Sequence, residues 1–475
     1  MKSDYGQPSS ARPTSVQPIS TAGKRTYADA ALLPAKPVDS SLPLSLQLGK
    51  RRRRRSTSTY ATLARRLQHR ELGLGNAGLS GPALARDKFA HIRLQVSFDI
   101  HAKPCDDDPR LWTRHPNRSR IIEIVSSREL IFALANNGVC TVFSRDLREK
   151  LCLVNTCKGE VIRSLFLNKT NDSLITVSVF KKDEFSSLHC RSTPLAHIRK
   201  GKIESGYPIF ETESLRWPGF VEFDDVNGKI LTFSADDKTY KVWDLRTYEH
   251  AFTIPYKGIT EIKISPCIML LVFDRMESYV PIRILNVENG ELLRDIKHML
   301  HRKRKLEFIE QFHQKLLVKQ ENENLQIVDV CTGDHVVVER SHFLLPNAFI
   351  FLYESELFLT FQNRHVSVWN FSGERVTAFE DHTLFSQDSS TNCIYITQKQ
   401  DIIVSHCHQD GDCGHGSINM SWIDSGKSLG KITCGPDHAA DHIRALENVS
   451  ALHYNEERNE VYSGTRDGLV HVWSN

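Results

Sequence analysis

Across residues 231–246, LTFSADDKTYKVWDLR, two short runs of apolar and β-branched residues flank a polar turn. Such side chains suit a pleated, half-buried surface, and a short turn between two such runs makes an antiparallel hairpin. Residues 231–234 and 239–243 are therefore predicted strands. Asp236 and Asp237 form the turn, where the Asp237 carboxylate is expected to fold onto backbone donors. Trp243 adds a large ring whose single N–H needs a partner once buried.

The same writing recurs, less cleanly, from residue 121 onward, without a long amphipathic helix. Aligned on the tryptophan, the equivalent positions are Phe143, Trp243, Leu285, Val328, Trp369, Trp422 and Trp473. After Trp243 the steps are 42, 43, 41, 53 and 51 residues; the step of 100 from Phe143 holds two units, the hidden one within residues 159–213. Six positions earlier stand Asn137, Asp237, Asn322, Asn363 and Asp467, which share one turn chemistry. Glycine turns follow the tryptophan position at Gly290, Gly333, Gly373 and Gly426.

A repeat of roughly 40–45 residues with four strands each points to an all-β fold, a β-propeller. Eight units begin near Ile121, Gly159, Gly219, Ile259, Lys305, Asn347, Thr391 and Asn448. Eight blades are expected; seven with one irregular insertion is the alternative. The last unit has room for only three strands. Residues 91–100, HIRLQVSFDI, alternate strictly, with Ile92, Leu94, Val96, Phe98 and Ile100 on one face. They are expected to supply the missing strand and so leave no open edge where the ring closes.

The stretch 231–246 and the run SGTRDGLVHVW at 463–473 together resemble the WD-repeat family. The resemblance covers about three quarters of the chain, although most units are degenerate. The family's Gly-His pair before the first strand is missing almost everywhere, and Leu285 and Val328 stand where it has Trp. The resemblance implies a WD-repeat β-propeller acting as a protein-interaction scaffold. Trp243-Asp244-Leu245-Arg246, preceded by Asp237, is also similar to the box of substrate receptors in cullin-RING ubiquitin ligases. That likeness implies that Asp237 and Asp244 shape the hairpin, Trp243 anchors it and Arg246 projects toward the ligase adaptor. The alternative is that these are ordinary repeat residues of a generic scaffold.

Charge divides the chain. Residues 1–87 hold 15 Lys/Arg against 5 Asp/Glu, whereas residues 88–475 hold 46 against 52. Rich in Ser, Pro, Thr, Ala and Gly, this basic tail buries too little to offset its ordering entropy and is expected to be disordered. Lys50, Arg51, Arg52, Arg53, Arg54 and Arg55 resemble a single-cluster nuclear import signal, with a solvated charge run as the alternative. A nuclear protein is expected, with the cytoplasm as the other possibility. A phosphate on Ser56, Thr57 or Ser58 would partly neutralise those arginines. Leu42, Leu44, Leu46 and Leu48 alternate as in the leucine repression motif that docks in extended form on corepressors, a resemblance implying a transcriptional scaffold.

Eleven scattered cysteines do not read as a disulfide framework, and a reducing compartment is expected. The start lacks the apolar core of a secretory signal, and no apolar run is long enough to cross a bilayer. His406, Cys407, His408, Cys413, His415, Cys434, His438 and His442 gather in one unit, but their spacing matches no closed zinc pattern. No metal or cofactor is expected. A second basic cluster, His301-Arg302-Lys303-Arg304-Lys305, falls between two units. It could touch phosphates or acidic protein, with a solvated loop as the alternative; it lacks interleaved aromatics, so nucleic acid is not expected as a direct ligand. With no phosphate loop, nucleophile elbow or metalloprotease helix, no enzymatic activity is expected.

Overall fold

The computed structural model describes residues 88–102, 118–210, 215–216, 219–234, 236, 238–362, 364–379, 382–384, 393–408, 416–434 and 440–475. Asp237, the import-like cluster Lys50 to Arg55 and the alternating leucines Leu42 to Leu48 lie outside the described residues, as do residues 56–58.

The strands form eight antiparallel four-stranded sheets, the blades of a β-propeller. We letter the strands a to d from the centre outward. Blades one to seven span residues 121–153, 160–209, 219–255, 259–299, 306–338, 348–379 and 394–432. Blade eight takes strands a to c from Val449–Asn455, Glu460–Thr465 and Leu469–Ser474, and its outer strand from Arg93–Asp99. Ser97 faces His471 in that last pairing, and Gln95 donates its side-chain amide to the Ser474 carbonyl at 3.1 Å.

Eight hydrophobic clusters hold the ring, each lying between two successive blades. Leu134 of blade one meets Leu165 of blade two, and Ile175 of blade two meets Ile230 of blade three. The same pairing continues around to Phe98 and Tyr462 of blade eight against Ile131 of blade one. Each fully buried Leu or Ile contributes about 1.5–3 kcal/mol, so the blade interfaces rather than the single sheets supply most of the stability.

Local geometry confirms the repeat. In five blades the c–d pairing shifts at one place, between Val142 and Phe143, Val242 and Trp243, Ile284 and Leu285, Val368 and Trp369, and Met420 and Ser421. A bulge there kinks the ladder and increases its twist. Three indoles at the marked position donate across the sheet: Trp243 to Thr232, Trp369 to Thr360 and Trp473 to Ser463, each at 2.9 Å.

One expected alignment needs correction. In blade seven the marked position is Ser421, and Trp422 stands one residue later, half-buried. The Ser421 hydroxyl bonds instead to Nε2 of the fully buried His382 at 2.8 Å, while Nδ1 of that ring meets the Ser405 hydroxyl. In blade two the hidden position is Thr193, which pairs with Leu174 and is fully buried. A hydroxyl there carries no hydrophobic signal, which is why the unit escaped the period.

Candidate protein-docking site

The a–b and c–d turns share one face of the disc, and Arg246 lies on it. Strand c of blade three, Thr239–Asp244, ends in a turn that the Asp244 carboxylate organises. It accepts the backbone N–H groups of Arg246 and Thr247, both at 2.9 Å. Partial burial alone would raise the Asp244 pKa. The donors Thr247 and Arg246 and the nearby Lys229 charge outweigh that cost and hold the carboxyl below its ordinary value. Tyr248 closes the turn in the left-handed region, at φ 62°.

The neighbouring blade clamps this turn. The Asn168 side-chain amide donates to the Leu245 carbonyl at 3.0 Å and to the Tyr248 hydroxyl at 3.1 Å, and Asn171 donates to the Arg246 carbonyl at 2.9 Å. Beneath it, Trp243 is buried against Phe210, ring centroids 4.7 Å apart, and Leu245 is buried too. Lys229, also buried, places its ammonium 2.6 Å from Glu288 of blade four and 3.9 Å from Asp244. Between these blades lies a polar cavity of about 240 Å³, lined among others by Asn168, Lys169, Asn227, Lys229, Arg246 and Glu288.

Of the four residues singled out in the box, three are therefore described. Trp243 and Asp244 serve local structure, and the Asp244 device is general. Asn286 accepts from Glu288, Asp329 from Cys331 and Thr332, and Asn370 from Ser372 and Glu374 in the same turn of later blades. Arg246 differs: its side chain is exposed and forms no ion pair among the described residues. The equivalent positions hold Glu288, Cys331 and Ser372.

The innermost strands reveal a second charged group that the sequence reading missed. The Lys263 ammonium lies 3.1 Å from Glu310 and 3.4 Å from Glu261. Burial would lower its pKa, but the two carboxylates raise it overall. Burial, with Asp224 beside it, pushes Glu222 up; burial likewise pushes Glu310 up despite Lys263. These residues come from blades three, four and five, and no local motif announces their meeting.

The other sequence candidates form no cluster among the described residues. His406 bonds through Nε2 to the Leu446 carbonyl at 2.8 Å, and Cys407 is buried with its sulfur 3.2 Å from the Ser405 hydroxyl. Among the described residues no three His, Cys, Asp or Glu side chains are grouped to hold a metal ion. Cys413, His415, His438 and the His408 side chain lie outside the described set. No helix of the described residues is long and apolar enough to cross a membrane.

No curated protein matches the chain. Among solved structures it is similar to the computationally designed Ika8 protein, at 17% identity and a TM-score of 0.46, over 76% of this chain and 97% of that one. It is also similar to BamB from Moraxella catarrhalis, at 12% identity and a TM-score of 0.41, over 81% and 98% of the two chains. Residues 79–473 match a family model, and the chain belongs to the family described as Domain of unknown function (DUF7899).

Proposed function

We propose that this chain is a non-enzymatic, WD-repeat-like scaffold that holds protein partners, acts in the nucleus and docks one partner through the turn around Arg246. The exposed guanidinium, with no ion-pair partner among the described residues, on a turn clamped by Asn168 and Asn171 carries this reading. The clamped backbone needs little ordering on binding, and the guanidinium offers a planar fork of donors to carboxylates or carbonyls. The resemblance of residues 243–246 to the receptor box makes the cullin-RING ligase adaptor the partner to test first. Affinity purification of the intact protein with mass spectrometry is the experiment. Recovery of the adaptor, lost with Arg246→Ala, is expected; wild-type protein that recovers none under mild conditions contradicts the ligase reading. The nuclear part fails separately if Arg51 to Arg55, all replaced by Ala, leave the cellular distribution unchanged.

A further inference from the structure

The opposite face of the disc, built from the b–c and d–a connections, carries the basic cluster between blades four and five. Its backbone is fixed. Arg275 donates to the carbonyls of Arg304 at 2.6 Å and His301 at 2.8 Å. The buried Gln320 accepts the His301 N–H at 2.9 Å and donates to both of those carbonyls at 3.2 Å. Arg304 is used internally, bound to Glu323 at 2.8 Å and to the carbonyls of Glu321 and Asn322. Arg302, Lys303 and Lys305 remain exposed, and none forms an ion pair among the described residues.

Exposed large apolar side chains lie on the same face. Tyr256, Met276, Met299, Leu344 and Leu345 are 41% to 66% exposed. Backbone bonds join the segments that bear them: Asp274 to Gly258, Leu300 to Ser278 and Glu321 to Lys305. Asn324 continues the strip by accepting the Arg340 N–H at 3.1 Å. These bonds link segments of blades three to six on this face, with Met299 two residues before the cluster and Met276 next to Arg275, which binds the cluster's backbone.

We propose that this strip docks a peptide segment of a partner protein in which carboxylates alternate with large apolar side chains. Three exposed cations on a fixed loop, with no ion-pair partner among the described residues, favour negative charge, and exposed methionines adapt to varied apolar anchors. Glu277 and Glu321 stand exposed within the strip. They would repel a continuous anionic surface such as a phosphate backbone or lipid headgroups, whereas a peptide can place its carboxylates between them. This goes beyond the Arg246 reading and lies on the other face, so the two stand or fall separately.

The test selects phage-displayed random peptides on the full chain, then measures one enriched, fluorescein-labelled peptide by polarisation. Enriched sequences should combine Asp or Glu with Leu, Phe or Met. Arg302→Glu/Lys303→Glu/Lys305→Glu should weaken the peptide about tenfold or more, with wild-type affinity falling as salt rises. Met276→Ser/Leu344→Ser should weaken it with salt sensitivity retained. Unchanged circular dichroism melts certify that the variants fold, and Arg246→Ala should bind the peptide as wild type does. A pool without acidic excess, or equal binding by the charge-reversed protein, overturns the proposal. So does binding of phosphatidylserine vesicles or a single-stranded RNA through the same cations without any peptide.

Discussion

Arg145 and Glu460 sit 315 residues apart in the chain and form a buried bidentate ion pair across the seam between blades one and eight. Nε lies 3.1 and 3.0 Å from the two carboxylate oxygens, and Nη2 lies 2.8 Å from one of them. The Tyr462 hydroxyl donates to the same carboxylate at 2.6 Å, and at the other end of the same seam the Ser450 hydroxyl donates to the Ile121 carbonyl. The blade that is completed by a distant strand is therefore also tied to its neighbour by charge.

Removing Glu460 strands the Arg145 guanidinium in a dry seam, whereas removing Arg145 leaves Glu460 with Arg458, 3.5 Å away. Glu460→Gln should cost about 3–5 kcal/mol, and Arg145→Met less than that, because Arg458 still faces the carboxylate. The combination Arg145→Met/Glu460→Met should cost less than the sum, since no uncompensated charge remains. Thermal and denaturant unfolding of the four proteins gives the cycle; strictly additive losses would show that the pair does not hold the seam.

A pH response follows from His471. Its ring is buried beside Ser97, with Nδ1 2.7 Å from that hydroxyl, and burial drives its pKa down to about 4 against the pull of Asp467 and Asp441. The unfolded chain, with an ordinary pKa near 6.5, takes up the proton first. Stability present above pH 6.5 is lost as pH falls, and the loss is complete near pH 4, at about 3 kcal/mol. His471→Gln should remove most of this slope. Denaturant midpoints at pH 7 and 4.5 compare the two proteins; parallel losses would contradict the assignment.

The inner strands respond in the opposite sense. Because burial and Asp224 raise the Glu222 pKa, its charge destabilises the fold at neutral pH, and that cost fades as pH falls through the raised pKa. Glu222→Gln should therefore stabilise at pH 7 and have little effect at pH 4.5. A variant less stable than wild type at pH 7 would instead mean that the carboxylate is needed by Lys263.

Two glycines in the same turn of neighbouring blades separate strain from collision. Both are left-handed, Gly290 at φ 72° and Gly333 at φ 82°. A Cβ on Gly290 would lie 2.5 Å from the Phe252 ring, whereas one on Gly333 would meet nothing within 4 Å. Gly333→Ala should cost about 1–2 kcal/mol from backbone strain alone. Gly290→Ala should cost about 1–3 kcal/mol more from overpacking, visible as a lower melting temperature.

The propeller was legible because each blade rewrites one local pattern, and hairpins need only neighbours in sequence. All eight unit starts lie within a few residues of the observed first strands. The period is hidden where packing replaces hydrophobic side chains with hydroxyls, at Ser421 and Thr193. Arg246 was legible as an unusual residue at a repeated position, but its clamp by Asn168 and Asn171 comes from another blade. Arg145 with Glu460, Lys263 with Glu310 and Arg275 under the basic loop join residues that no local window contains.

The outer strand of blade eight has a consequence for biogenesis. Residues 93–99 leave the ribosome long before their pairing partners at 469–474 exist. During that interval Phe98, later buried against Phe143 at a ring distance of 4.9 Å, has no sheet to join. Of the described strands, the first made cannot pair until the last is made. Synthesis runs around the ring in one direction while closure waits for both ends, so until then the nascent molecule exposes an adhesive edge at each end of its growing arc.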